Sequence, residues 1–351
     1  MKVISVDFNA LSYKGGIASF NRKLMSFFGK ESINFITFFN DGNRRYINEK
    51  NYNLPKGLFK FINSISLYYI SSIILYFNLV KVVNKKDTIL ILNSPSFFKL
   101  LPKGFKKVIL IQHQDSETMW SNRSGFNSSS SFLSKCVKKA SKIVVLSDRD
   151  REDFSKKLNI PYSKMYVIPH SVDIDISNTK KLVSKKLIMV ARIDNRQKRL
   201  DLAIKAMKFL PDWQLDIYGK GNDLPKLLKL IEKNSITNVF FKGLSDNVTE
   251  AYDSGSIHVM TSDFEGFGIT NIEAMARGLP LIIRATFPAS QDIIKNGEGI
   301  LLAPDWDAGE YVNAVKTIYN SYHDYSQRCK KSAENYSHEN VKKKWVDFLA
   351  D

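Results

Sequence analysis

A two-domain α/β fold, each domain a parallel sheet flanked by helices, is what this 351-residue sequence predicts. Three observations predict it. Short β-branched or aromatic runs alternate with helical stretches, the pattern of strands laid in parallel under helices on both faces. The series runs twice, with a polar break at Ser177–Ser184 that reads as a linker. The length suits two domains, and the 44% apolar content suits ordinary globular cores.

Strand candidates of the first series are Val3–Asp7, Asn34–Phe39, Thr88–Leu92, Lys107–Gln112, Lys142–Leu146 and Met165–Ile168. Those of the second are Lys186–Val190, Trp213–Tyr218, Val239–Lys242, Ile257–Thr261, Leu279–Arg284 and Gly299–Leu302. This gives an N-terminal domain over 1–176 and a C-terminal domain over 177–334, both Rossmann-like, with a cleft between them. A closing helix follows, with Tyr336, Val341, Trp345, Phe348 and Leu349 at helical spacing.

The 2 Cys, Cys136 and Cys329, lack metal-ligand spacing and fit a reducing cytoplasm. The start, Met-Lys-Val-Ile-Ser-Val, reads as a strand with no cleavable signal pattern. A formal net charge of +17 attracts anionic lipid, nucleic acid or anionic substrates. No helix-turn-helix, zinc-finger or RNA-binding motif accompanies it, so no nucleic-acid partner is expected. A lysine-rich surface that only confers solubility is the plain alternative. Phe61–Val80 has no charged residue and is long enough to span a bilayer, but carries six Asn and Ser side chains. It reads either as a core helix pair or as a membrane-surface element, since Lys56, Lys60, Lys81, Lys85 and Lys86 flank it.

The densest chemistry lies in Asp263-Phe-Glu-Gly-Phe-Gly-Ile-Thr-Asn-Ile-Glu273. A strand precedes it, and Ile269–Arg277 reads as a helix. Glu265 therefore sits on a strand-to-helix turn, and Glu273 about one and a half turns or more into the helix. The glycines permit unusual backbone angles, and helix-start amides favour an anion. Carboxylates for sugar hydroxyls beside amides for phosphate suit a sugar nucleotide. A plain helix cap would not explain the glycines on both sides of Phe267. A second element, Val190-Ala-Arg-Ile-Asp-Asn-Arg-Gln-Lys-Arg, follows the first strand of the second series. Arg192 and Lys198 stand at a strand's carboxyl end, where open α/β sheets bind ligands. Both can hold phosphate oxygens and stabilise charge on a leaving diphosphate. Arg196 and Arg199 read as surface charges.

These motifs resemble those of the retaining, GT-B fold glycosyltransferases of family 4 (glycosyl transferases group 1). Glu265 and Glu273 match its Glu-x7-Glu signature, which opens as Glu-Gly-Phe-Gly and continues past Glu273 as Ala-Met-Ala-Arg-Gly-Leu-Pro. Arg192 and Lys198 match its diphosphate-binding positions, although Ala191 and Arg199 stand where the family has glycine. His113, ending Ile109-Leu-Ile-Gln-His-Gln-Asp115, resembles the family's active-site histidine, with Gln114 inserted before the usual aspartate. Gly15 and Gly16 match its N-terminal glycine loop. Pro169-His-Ser-Val-Asp173 resembles its junction turn, and Ser147 caps the helix after a strand. The resemblance is sharp from Lys186 to Pro304 and loose before His113.

The resemblance implies a nucleotide-diphospho-sugar donor, a UDP-sugar first among them, and no metal or other cofactor. It puts the ribose on Glu273 and the diphosphate on Arg192 and Lys198. The sugar falls to Glu265 and the Gly266, Phe267 and Gly268 amides, beside Ile269, and the base to backbone near Gly243 and Leu244. An acceptor would enter by His113 and the Gly15-Gly16 loop, and the closing helix, 335–351, would pack back on the first domain. The implied enzyme is cytoplasmic, and the basic charge with the Phe61–Val80 segment points to the inner face of the membrane. It transfers sugar to a lipid-linked glycan acceptor in bacterial polysaccharide, O-antigen or glycolipid assembly, with a soluble or protein acceptor as the alternative. A GT-B fold epimerase and a basic lipid- or nucleic-acid-binding protein are the alternatives.

Overall fold

The computed structural model describes residues 2–13, 16–29, 32–38, 46, 48–52, 73–82, 84–98, 101–115, 135, 137–177 and 182–350. Gly15, Cys136, Ser128–Ser131 and the 61–72 part of the apolar segment lie outside them. The chain forms two compact units, Met1–Pro169 and His170–Asp351. The division falls earlier than the expected boundary after residue 176. Ser177, the first linker residue, is buried and donates its N–H to the Ala276 carbonyl at 2.8 Å.

In the first unit the strands are β1 (Lys2–Val6), β2 (Ile33–Thr37), β3 (Glu49–Asn51), β4 (Thr88–Leu92), β5 (Lys107–Ile111), β6 (Lys142–Val145) and β7 (Met165–Val167). They pair in parallel in the order β3-β2-β1-β4-β5-β6-β7. Every residue of β4 is buried, as a parallel strand covered on both faces requires. Helix α1 (Gly16–Phe28) buries Ala18, Phe20, Asn21, Leu24 and Phe27 along one face. A second helix, α2, spans 73–80. Its Leu75 and Leu79 are fully buried in the first core, while Ile73, Tyr76, Phe77 and Val80 are exposed. Ser147 caps α3 (Asp148–Leu158) by accepting from the Asp150 N–H at 3.1 Å.

The second unit opens with β8 (Lys186–Val190), α4 (Asn195–Lys198), α5 (Leu200–Ala206), β9 (Gln214–Tyr218) and α6 (Leu224–Lys233). Next come β10 (Val239–Gly243), α7 (Val248–Asp253), β11 (Ile257–Met260), α8 (Ile269–Ala276) and β12 (Leu281–Arg284). It closes with α9 (Ala289–Ile293), β13 (Gly299–Leu302), α10 (Ala308–Asn320), α11 (Tyr322–Ala333) and α12 (His338–Ala350). Strand order is β10-β9-β8-β11-β12-β13, again all parallel. The closing helix α12 counts with this unit, and the Val172 N–H donates to the Tyr336 carbonyl just before it.

Both sheets are doubly wound, and in each the order reverses once: between β1 and β4, and between β8 and β11. Crossovers leave to opposite faces there and open a crevice beyond the strand ends, where such sheets bind ligands. His113 stands beyond the end of β5, the neighbour of β4, in the first unit. Arg192, Lys198 and Glu265 follow β8 and β11 in the second.

Candidate functional site

In the second unit the turn carrying Glu265 and the segment carrying Lys198 are sewn together. Thr261 Oγ1 donates to the Lys198 and Arg199 carbonyls, both at 2.9 Å. The Asp263 N–H donates to the Gln197 carbonyl at 2.8 Å, and Gln197 Nε2 to that of Phe264 at 3.0 Å. Lys198 Nζ then meets Glu265 Oε1 in a largely buried ion pair, and Ser262 Oγ donates to the same oxygen at 2.6 Å. The two residues that the motifs assigned separately, to diphosphate and to sugar, are direct partners. An ammonium has three donors and a carboxylate about four acceptor sites, so one bond between them leaves capacity on both.

Arg284 anchors this turn from behind. It is 6% exposed and donates through Nη1 to the Thr261 carbonyl at 2.8 Å and Asp263 Oδ1 at 2.7 Å. Asp263 also accepts from Arg199. Arg199 is therefore part of the turn's scaffold and not merely the surface charge expected. Its φ is 46°, left-handed backbone that favours glycine. Its bonds to Asp201 and Asp263 offset that cost.

Arg192 lies on the loop after β8, its side chain 64% exposed and held by Asp194 and Gln197. That loop runs backbone to backbone against residues 218–221. The Ala191 N–H donates to the Tyr218 carbonyl at 3.0 Å and the Ile193 N–H to that of Lys220 at 2.9 Å. A Cβ on Gly219 would come within 1.8 Å of the Ala191 oxygen, and one on Gly221 within 2.1 Å of the Ile193 oxygen. The glycines of this loop serve backbone contact within the protein. The Gly219 N–H also donates to the Gly243 carbonyl at 2.7 Å, beside exposed Leu244.

Gly268 precedes α8 at φ 79°, and a Cβ there would meet Asn271 Nδ2 at 2.7 Å, so the turn needs glycine. Phe267 is buried, with its ring 5.9 Å from those of His170 and Tyr336. Its side chain anchors the turn, which leaves only its backbone for a ligand. Ile269 opens α8, and Glu273 is a little over one turn in, shallower than expected. Glu273 Oε2 accepts from the Tyr252 hydroxyl at 2.8 Å. Burial first, then the Glu273 charge, pushes the Tyr252 phenol up, so it remains a donor. His258, in β11, is buried, and burial lowers it to about 3, so it is a neutral core histidine.

In the first unit, His113 Nε2 is 2.8 Å from Asn93 Oδ1, and the Phe20 ring meets the imidazole edge-on at 5.0 Å. Burial lowers His113 to about 3, so the ring is neutral at ordinary pH. Asn93, Asn21, Ser5 and Asp7, all buried, form one network behind it. Gly16 opens α1, and a Cβ there would meet nothing within 4 Å, so packing does not require the glycine. The sequence pointed to neither this network, nor Tyr252, nor the Arg284–Asp263 anchor.

Geometry and topology define a GT-B fold, two parallel-sheet α/β domains in one chain. Residues 173–336, which hold Arg192, Lys198, Glu265 and Glu273, match the family described as Glycosyl transferases group 1. The chain is 26% identical over 59% of its length to a Poly(glycerol-phosphate) alpha-glucosyltransferase of Bacillus subtilis, covering 32% of that protein. It is 25% identical over 76% of its length to a Poly(ribitol-phosphate) alpha-N-acetylglucosaminyltransferase of Staphylococcus aureus, covering 56% of it. The chain thus spans about a third and about half of these curated relatives. Among solved structures, a point mutant of S. aureus TarM in complex with Fondaparinux, alpha-GlcNAc-glycerol and UDP superposes with a TM-score of 0.76. That match covers 100% of both chains at 17% identity and speaks for the fold.

Proposed function

We propose that the chain is a retaining glycosyltransferase of family 4 that moves a sugar from a nucleotide-diphospho-sugar, UDP-linked in the first instance, to a hydroxyl of a glycan acceptor. The observation that carries this reading is the Lys198–Glu265 pair at the crevice of the second sheet, with Ser262 on the same carboxylate. A fixed cation for phosphate and a fixed carboxylate for hydroxyls, side by side, match the two ends of a sugar diphosphate. The curated relatives, by name a poly(glycerol-phosphate) alpha-glucosyltransferase and a poly(ribitol-phosphate) alpha-N-acetylglucosaminyltransferase, support the same class.

In this reading Arg192 and Lys198 neutralise the diphosphate without a metal ion, and Glu273, held by Tyr252, takes the ribose hydroxyls. Glu265 and the Gly266–Gly268 backbone hold the sugar, and Gly243 and Leu244 border the base. As the C1–O bond to the β-phosphate breaks, its electron pair goes to the phosphate oxygen. The acceptor oxygen bonds C1 from the same face, and its proton passes to that phosphate oxygen. Charge grows on the phosphate as the bond breaks, so cations already aimed there act most on the transition state.

The acceptor we propose is a lipid-linked glycan met at an anionic membrane surface. Lys2, Lys86, Lys106, Lys107 and Lys139 stand exposed at or just before the starts of neighbouring strands β1, β4, β5 and β6. The exposed Ile73, Tyr76, Phe77 and Val80 line one face of α2. Among the described residues no helix is long and apolar enough to cross a membrane. An exposed apolar helix face and a basic sheet end suit a surface contact, and since that end is opposite His113 the glycan would have to reach round to the crevice.

The test is product analysis with radiolabelled UDP-sugars in EDTA, with and without lipid-linked acceptor in anionic vesicles. Acceptor-dependent label transfer, abolished in Glu265→Ala, is the expected result. Conversion of the nucleotide-sugar without acceptor would make the chain an epimerase instead. Vesicle binding that survives Glu265→Ala, with no turnover at all, would make it a lipid-binding protein.

A further inference from the structure

Asn93 follows β4 at the crevice of the first sheet, between β1 and His113. Its Nδ2 lies 3.0 Å from the Val6 carbonyl, 3.1 Å from Ser5 Oγ and 3.3 Å from Asn21 Oδ1. A backbone carbonyl only accepts, so the amide atom facing Val6 is the NH2 group. The orientation of Asn93 is fixed by the main chain of β1. Its Oδ1 therefore faces His113 Nε2 at 2.8 Å, and an amide oxygen only accepts. The imidazole must donate from Nε2. In a neutral ring the lone pair then sits on Nδ1.

Asn21 makes the arrangement self-consistent. Its Oδ1 accepts from Ser5 Oγ at 3.0 Å and from Asn93, while its Nδ2 donates to Asp7 Oδ2 at 3.2 Å. Asp7 Oδ1 accepts from the Phe8 N–H at 2.7 Å. From Asp7 to His113, every donor meets an acceptor. Turning either amide over would set NH2 against a donor or oxygen against oxygen in a buried site, which is costly.

We propose that Asn93 is a positioning residue that locks His113 as the Nε2–H tautomer, so that His113 meets substrate as a fixed neutral contact and transfers no proton. The inference rests on the reading that His113 lies at the sugar-transfer site, and it deepens that reading. Its proton is committed to Asn93, and burial lowers its affinity for a second proton, so the ring is a poor base at Nδ1 and carries no extra proton to give as an acid. The phosphate oxygen is left as the base, as the front-face mechanism requires.

Nitrogen-15 NMR of imidazole-labelled full-length protein tests the tautomer directly. There are 5 histidines, and His113 is assigned by the signal lost in His113→Ala. The expected spectrum of the wild type is a neutral Nε2–H ring that does not titrate between about pH 5 and about pH 9. In Asn93→Ala, checked as folded by its melting transition, the ring should become a mixture of tautomers. Its kcat should fall about tenfold, the scale of one lost hydrogen bond, with donor KM unchanged. Asn93→Asp keeps an acceptor facing Nε2 and should keep the Nε2–H tautomer, but its second oxygen stands against the Val6 carbonyl, so its melting temperature should fall. A wild-type Nδ1–H or imidazolium signal at neutral pH overturns the proposal, whatever the turnover. So does a wild-type-like ring in Asn93→Ala. Undiminished transfer in His113→Ala, with the Nε2–H signal present in the wild type, would instead remove His113 from the transfer site.

Discussion

The two sheet crevices are lined with opposite chemistry. That of the second unit is ionic: Lys198 pairs with Glu265, Arg192 stands exposed beside it, and Arg284 and Arg199 hold Asp263. That of the first is built from neutral amides and a hydroxyl, Asn21, Asn93 and Ser5, between Asp7 and a neutral His113. Charges suit a diphosphate, which brings its own charge and gains more as it leaves. A neutral network suits hydroxyl groups, where a stray charge would misdirect a proton. The same strand order supports both because the crevice is set by topology and the chemistry by side chains at strand ends.

The sharpest break of this contrast is at Lys198. Lys198→Ala should lower kcat on the order of 10³-fold, the scale of losing a donor to a developing oxyanion. Single-turnover transfer assays check it, and a loss mainly in KM would place Lys198 in ground-state binding only.

The first unit should reveal itself through pH. Burial raises the Asp7 carboxyl to about 7, although hydrogen bonds from Phe8, Asn9 and Asn21 pull it down. A folded value above the unfolded one means that the fold favours the protonated acid. Asp7 therefore destabilises the fold progressively as pH rises from about 4 to about 7, with the full cost present above. Between about pH 5 and about pH 8 the loss is roughly 3 kcal/mol. Asp7→Asn should flatten that slope in urea unfolding, while parallel slopes would contradict the assignment.

Two smaller effects refine the second unit. Tyr252→Phe removes one bond to the Glu273 carboxylate and should weaken nucleotide binding about tenfold by calorimetry, with kcat kept. Arg199→Gly relieves left-handed backbone but gives up bonds to Asp201 and Asp263, so its melting free energy should stay within about 1 kcal/mol of wild type. A large destabilisation would show the ion pairs to matter more than the backbone.

How much could be read beforehand follows the same division. The apolar strands were legible because parallel strands covered on both faces must be apolar along their length, and β4, β8 and β13 fall at the expected residues. Strand β3, Glu49-Lys-Asn51, is a short polar edge strand with no such pattern. Lys198, Arg192 and Glu265 were legible because they lie in two short motifs, whereas Arg199 read only as a surface charge and the Arg284–Asp263 anchor was not foreseen. Nor was the neutral network. Asn93 and Ser5 are 88 positions apart and single polar residues of common type. Only the pairing of β1 with β4 makes them neighbours. Tyr252 was hidden likewise, since it reaches Glu273 from another helix.

The central claim is that the second unit binds a nucleoside diphosphate through Lys198 and Arg192 without a metal. Thermal melting of the purified chain with UDP, GDP, ADP or CMP and their sugars, in EDTA, tests it most directly, because a ligand of the native state raises the transition. The account predicts a shift with one nucleoside diphosphate, absent in the Arg192→Ala/Lys198→Ala double variant. No shift with any of them in folded protein, or the same shift in the double variant, would contradict it.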